Sequence, residues 1–223
     1  MNNYRIEKDS LGEIKVPNDK YYGAQTQRAF LHFPIQQQLM PIDQIMAMVQ
    51  VKKACAIANH EVGVLTLEKR DFIIESCNDI LEGHYNDHFV LSVYQSGSGT
   101  QSNMNVNEVI ANLANQKAQT NLIHPNDDVN KSQSTNDVFP TAMHIATRHL
   151  VSHHVLNALD AMISELERLS ESFKHLQKAG RTHLQDATNL TLGQEFSGYV
   201  YGLKTHRQQL VESLYYLEDV ALG

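Results

Sequence analysis

Several things are scarce in this sequence of 223 residues. No apolar run approaches the roughly 20 residues that span a bilayer, so no membrane helix is expected. There are two cysteines, Cys55 and Cys77, each inside a helical-looking apolar pattern and neither in a metal or redox motif. Both read as buried thiols in a reducing compartment. Positive charge is also short: 18 Lys and Arg against 25 Asp and Glu leave a net charge of −7. That balance argues against broad binding to nucleic acid or anionic membrane. It leaves room for a small anion held by a local positive potential. Low-complexity segments and solenoid repeats are missing too. The opening Met1-Asn2-Asn3-Tyr4-Arg5-Ile6-Glu7 carries neither a signal-peptide core nor an acid-free transit pattern. What is present, 42% hydrophobic and 19% charged residues, is ordinary for a globular chain, and a soluble, cytoplasmic protein is expected.

The pattern of apolar residues predicts a mainly helical protein. Residues 4–16 read as a short irregular or hairpin-like start, with Gly12 at a turn and Pro17 at its end. Pro41 to His60 predicts a helix burying Ile45, Met48, Val49, Ala56 and Ile57. A second helix opens after Thr66 as N-cap, buries Phe72, Ile73, Cys77, Ile80 and Leu81, and stops at Gly83. From Gln95 to Asn107 a Gly/Ser/Thr/Asn-rich loop feeds another helix. Beyond Pro140 two long heptad-like seams follow, Val155 to Leu176 and Leu192 to Leu210, joined by a polar loop. They imply an antiparallel pair within a helical bundle whose wide apolar flanks need further helices. Pro140 is expected in the first turn of the first long helix. A domain boundary is therefore placed there, giving 1–138 and 139–223.

Three polar loops stand out as carriers of chemistry. They are Gly97-Ser98-Gly99-Thr100-Gln101-Ser102-Asn103, the stretch from His124-Pro125-Asn126-Asp127 to Ser132-Gln133-Ser134-Thr135-Asn136-Asp137, and Gly180-Arg181-Thr182-His183-Leu184-Gln185-Asp186. Each is expected to precede a helix, whose unpaired N–H groups and partial positive charge bind carboxylate or phosphate without many lysines. Each loop alone is better read as capping and turn chemistry. Ser98-Gly99-Thr100 lacks the third glycine of a dinucleotide fingerprint, and no P-loop lysine follows. His149 and His153 are one helical turn apart, but with no third ligand nearby a solvated face is the better reading. His206 falls on the apolar seam and reads as a hydrogen-bonded core histidine.

Taken in order, these strings resemble the fumarase/aspartase superfamily of lyases, most closely its class II fumarate hydratases. The resemblance starts at Tyr4-Arg5-Ile6-Glu7 and Tyr21-Tyr22-Gly23-Ala24-Gln25-Thr26-Gln27-Arg28. It continues through Gly97 to Asn105, His124 to Asp127, Asn130 to Asp137, Gly180 to Ala187 and Leu192-Gly193-Gln194-Glu195-Phe196, and so covers essentially the whole chain. Thr182-His183 and Ser132 favour fumarase over aspartase, where glutamine and cysteine are typical. Thr135 and Asn189 depart from the commoner serine and proline.

The resemblance implies an N-terminal helical lyase domain and the first long helices of a central bundle. It implies reversible hydration of fumarate to L-malate in the citric acid cycle, with no cofactor and no metal. Substrate donors would be Ser98, Thr100, Ser134, Thr135, Asn136 and Thr182. His183 would be the catalytic group that handles the proton of water, a role suited to a side chain titrating near neutrality. His124, Asn126 and Asp127 would form a secondary dicarboxylate site. The implied assembly is a homotetramer whose active sites draw loops from three subunits. The family's Gly-Ser-Ser loop and Met-Pro-x-Lys-x-Asn string, which supply the carbon-proton base and carboxylate ligands, have no counterpart within these residues. The chain is therefore expected to be an N-terminal portion and to be inactive by itself. An aspartate ammonia-lyase and a non-catalytic assembly module on the same scaffold are the alternatives.

Overall fold

The computed structural model describes residues 3–35 and 38–222. They form two compact units, one drawn from residues within 1–146 and 220–223, the other Thr147–Asp219. No helix among the described residues is long and apolar enough to cross a membrane.

The first unit begins with an antiparallel hairpin, β1 (Tyr4–Asp9) and β2 (Gly12–Pro17), paired from Tyr4↔Pro17 to Asp9↔Gly12. Gly12 takes φ +108° at the turn, and Val16 alone of the strand residues is fully buried. Helix α1 (Ala24–His32) is tied to the turn by Arg28, whose guanidinium meets both Asp9 carboxylate oxygens at 2.9 Å. Helices α2 (Ile42–Glu61), α3 (Leu67–Leu81) and α4 (Thr100–Ala118) supply most of the core. Thr66 caps α3, its Oγ1 accepting from the Lys69 N–H at 3.4 Å. Gly83 closes that helix at φ +87°, its N–H bonded to the Ile80 carbonyl at 2.9 Å. Cys77 is buried and Cys55 half-buried, both as free thiols.

Helix α4 is where sequence and structure part. The Ser/Asn-rich stretch is not a loop to Asn107, because the helix already starts at Thr100. Asn103, Asn105, Asn107 and Glu108 lie buried inside it beside Val106, Val109 and Ile110. Buried polar groups must be paired, and most of these reach across to other segments. Asn105 Nδ2 donates to the His88 carbonyl at 3.1 Å. Glu108 accepts the backbone N–H groups of Gly23, Gln25 and Thr26 at 2.8, 2.8 and 3.1 Å, so it caps α1 from a distance. Burial pushes its carboxyl above the ordinary range, against those N–H bonds. Ile57, expected in the core, is exposed.

Helix α5 (Thr135–Leu150) starts five residues before Pro140, which therefore stands in the second turn, not the first. The Ser134 carbonyl accepts from the Asp137 and Val138 N–H groups, and so starts the helix ahead of the proline. A π-helical segment, Val151–Val155, leads into α6 (Leu156–Ser172).

In the second unit α6 and α7 (Leu192–Ser213) pack antiparallel, with Asp160 paired to Arg207 and Lys204 to Glu167. A Cβ at Gly193 would come within 2.4 Å of the Ser170 carbonyl oxygen, so a glycine is needed where α7 starts against α6. The connection is not an open polar loop but a second hairpin, β3 (Gln177–Thr182) with β4 (Gln185–Thr191). A capping box built from Thr191 and Gln194 turns its exit into α7. Of the apolar side chains described in this unit, only Ile163 and Val200 are buried. Most other seam residues, among them Leu166, Phe173, Phe196 and Leu203, are half-buried, and His206 is exposed rather than in the core, its ring bonded to Gln209 at 3.1 Å.

Lys52 is the largest fully buried side chain, at 0% exposure, among the aliphatic groups of α2. Burial brings its amine down to about 7. In an unfolded chain a lysine titrates near 10.4, so between these values the unfolded state binds the extra proton. Stability should therefore rise with pH from 7 to 9, with a slope approaching 1.4 kcal/mol per unit, on the order of one proton. The Cys77 thiol, pushed up to about 12 by burial, and the Cys55 thiol, also raised by burial, offset that gain from the ordinary thiol range upward, so the rise is steepest between about pH 7 and 8. Urea unfolding at pH 7 and pH 9 should show the gain, and Lys52→Met should abolish it. Glu108→Ala should cost at least about 3 kcal/mol in the same assay, for three stranded N–H donors.

Candidate active site

Two of the three polar segments meet within the first unit. Gly99 precedes α4 at φ +72°, and a Cβ there would lie 2.4 Å from the Phe139 ring of α5. Both the backbone conformation and the close approach demand glycine. One turn into α4, Asn103 Nδ2 donates to Thr135 Oγ1 at 2.9 Å and to Asn130 Oδ1 at 3.1 Å. The starts of α4 and α5 are thereby held side by side. Ser98 and Thr100 hydroxyls lie 2.8 Å apart, and the Asn136 N–H donates to Ser134 Oγ at 3.2 Å. Ser98, Thr100, Ser134 and Asn136 are exposed and Thr135 is half-buried. Two helix starts lined by hydroxyls and an amide are a candidate seat for an anion, built from neutral donors.

Beneath this seat is a group that sequence reading missed. Lys52 Nζ donates to Asn130 Oδ1 at 2.7 Å and Gln133 Oε1 at 2.9 Å. The signal was available: position 52 falls one turn from Met48 and from Ala56, on the buried face of α2. Neighbouring Asn59 Nδ2 clamps the same loop through the Lys131 carbonyl at 2.9 Å.

His124, Asn126 and Asp127 lie elsewhere on the first unit, lining a cleft of about 750 Å³ with Lys69, Glu108 and Lys131. His124 opens a π-helical turn, Pro125–Val129, its Nδ1 accepting from the Asp127 N–H at 3.1 Å. Asp128 is buried and held by Lys69 at 2.8 Å, which fixes the turn from below. Lys69 and Lys131 bring cations to a cleft that is otherwise lined by the carboxylates of Glu7, Asp9, Glu108, Asp127 and Asp128.

Thr182 and His183 belong to the second unit, at the tip of the β3–β4 hairpin. Thr182 pairs with Gln185, leaving His183 and Leu184 as a two-residue turn at φ 49° and 62°. Such turns favour Asn-Gly because both central residues need positive φ. Two side-chain-bearing residues there carry strain, a mark of functional positions. His183 is exposed, and Leu184 is 92% exposed.

Comparison with known proteins adds the family. Residues 12–223 match the lyase family. The class II fumarate hydratase of Helicobacter pylori is 50% identical over 225 residues, covering 99% of this chain and 49% of that protein. The class II fumarate hydratase of Bacillus cereus is 50% identical over 224 residues, covering 99% and 48%. Among solved structures, the class II fumarase from Schistosoma mansoni superposes with a TM-score of 0.91 at 36% identity, covering 99% of this chain and 47% of that one. The native fumarate lyase:delta crystallin structure from Brucella melitensis gives 0.89 at 42% identity, covering 97% and 52%. The chain thus spans about half the length of the curated relatives it matches. With the family match running through both units and the fold agreeing, this chain belongs to the lyase family.

Proposed function

We propose that the protein is a fumarate hydratase, adding water across the double bond of fumarate to give L-malate, reversibly, in the citric acid cycle of the cytoplasm. The observation that carries this reading is the juxtaposition of the α4 and α5 starts through Asn103 and Thr135. Hydration passes through a carbanion whose charge spreads onto one carboxyl group, and neutral donors fixed in advance stabilise that charge. Ser98, Thr100, Ser134, Thr135 and Asn136 would supply these donors, joined by Thr182. His183 would hold and return the proton of the added or departing water. The reaction changes no overall oxidation state, so it calls for no redox cofactor. His124, Asn126 and Asp127 would take a second dicarboxylate in the lysine-bearing cleft. Residues 1–138 would form the N-terminal lyase domain and 139–223 the beginning of the central bundle. The open seams of α6 and α7 suit a homotetramer with a shared helical core. The Gly-Ser-Ser and Lys-x-Asn elements are not among these residues, so this polypeptide alone should not turn over.

The test is loss of fumarate ultraviolet absorbance by the protein as its gene encodes it, with malate and aspartate assayed as products. Malate formation in water, and none of aspartate in ammonia, is expected; the opposite pattern makes the protein an aspartate ammonia-lyase. Removing one preorganised donor typically costs about 100-fold in kcat, and Asn136→Ala should fall by that order. His183→Asn should lower kcat by about 100-fold or more while circular dichroism stays unchanged. Full turnover in either variant would remove that residue from its role.

A further inference from the structure

We propose that Lys52 is a positioning residue for the substrate donors at the start of α5, setting the direction of the Thr135 hydroxyl through Asn130 and Asn103. This rests on the fumarate reading above. The path is continuous: Lys52 Nζ to Asn130 Oδ1 at 2.7 Å, Asn103 Nδ2 to the same oxygen at 3.1 Å, and Asn103 Nδ2 to Thr135 Oγ1 at 2.9 Å.

The path also has a polarity. Asn130 Nδ2 is committed to the Gln133 carbonyl at 3.0 Å, and Gln133 Nε2 to the Val129 and Lys131 carbonyls at 3.0 and 3.1 Å. Both carboxamide oxygens are therefore turned toward Lys52, where a donor must stand. With Asn130 Oδ1 fixed as an acceptor, Asn103 has to present its NH₂ to it. The same NH₂ then occupies a lone pair of Thr135 Oγ1 and leaves the hydroxyl hydrogen free for a carboxylate oxygen. Asn103 Oδ1 is buried without a partner among the described residues. That unmet acceptor shows the amide is oriented by the network and not by its own satisfaction. Flipping it would set its oxygen against that of Asn130 and would draw the Thr135 hydroxyl hydrogen into an internal bond.

A lysine suits the position. Its amine is fully buried and meets two acceptors, and with its amine brought down to about 7 it holds its two-hydrogen form half the time at neutrality. Nothing apolar could orient the pair, and a carboxamide in its place would bring back the ambiguity of the flip.

The experiment is a double-mutant cycle on fumarate turnover in the protein as its gene encodes it, using Lys52→Met, Thr135→Val and the two together. Lys52→Met should lower kcat/KM by roughly tenfold or more, a loss that shrinks below about threefold in the Thr135→Val background, as expected of coupled residues. A role confined to packing would multiply equally in both backgrounds and would overturn the proposal, as would an unchanged Lys52→Met enzyme. If circular dichroism shows that Lys52→Met does not fold, Asn103→Leu interrupts the same path one link later and is read in the same cycle. Absence of fumarate turnover in the unsubstituted protein removes the hydratase reading and this inference with it. Turnover with no coupling removes this inference alone.

Discussion

The constraint from which the rest of the first unit follows is that α4 is a helix buried on nearly every side while carrying Asn103, Asn105, Asn107 and Glu108. Polar groups inside a protein must find partners or cost free energy. Here many of those partners lie at the starts of other helices and in the short turns between them. Glu108 gathers the N–H groups at the start of α1, Asn105 holds the turn at His88, and Asn103 holds Thr135. Satisfying the core and ordering the loops are thus the same event. A loop held by core hydrogen bonds keeps its hydroxyls in place before any ligand arrives, which is what preorganised electrostatic stabilisation requires.

The same arrangement would let an acidic protein hold the anion proposed for it. The net charge is −7, and the surface as a whole repels a dicarboxylate. Backbone N–H groups, hydroxyls and amides at two helix starts carry no net charge, so they leave that balance untouched while acting at short range. The one cation nearby, Lys52, lies below the seat with its donors committed to Asn130 and Gln133. Its contribution is orientation. The lysine-bearing cleft around His124 is a different device, with formal charge near its mouth.

Much of this was legible in the residues. Apolar periodicity and Thr66 with Gly83 located α3 to within a residue, because caps and breakers act locally. Two of the polar strings located segments that approach one another, the starts of α4 and α5. Three things stayed hidden, each for a tertiary reason. The run from Thr100 to Asn107 is helical although Ser and Asn favour turns, since buried partners outweigh propensity there. Lys52 carries no polar motif around it in the sequence, and its burial follows only from the enclosure of its face of α2. The segment around His183 became a hairpin because its pairing from Gln177 to Thr191 outweighs the cost of two positive φ angles at a His-Leu turn.

The two units differ in what stabilises them, and the difference bears on where chemistry resides. The first contains an enclosed core running from Val16 to Ala146. In the second, Ile163 and Val200 are the only buried apolar side chains described, while Met162, Tyr199, Tyr201 and Val211 stand exposed along or beside the seams. At about 25 cal/mol per Å² of apolar surface removed from water, two buried side chains offset only a small part of the conformational entropy of ordering more than seventy residues. Ion pairs such as Arg207 with Asp160, both substantially exposed, add little to this. The α6–α7 pair is therefore held by half-buried seam residues such as Leu166, Phe173, Phe196 and Leu203, and it leaves further apolar surface exposed. The hairpin that carries His183 is thus joined to helices with little enclosed core of their own, unlike the starts of α4 and α5, which rest on one.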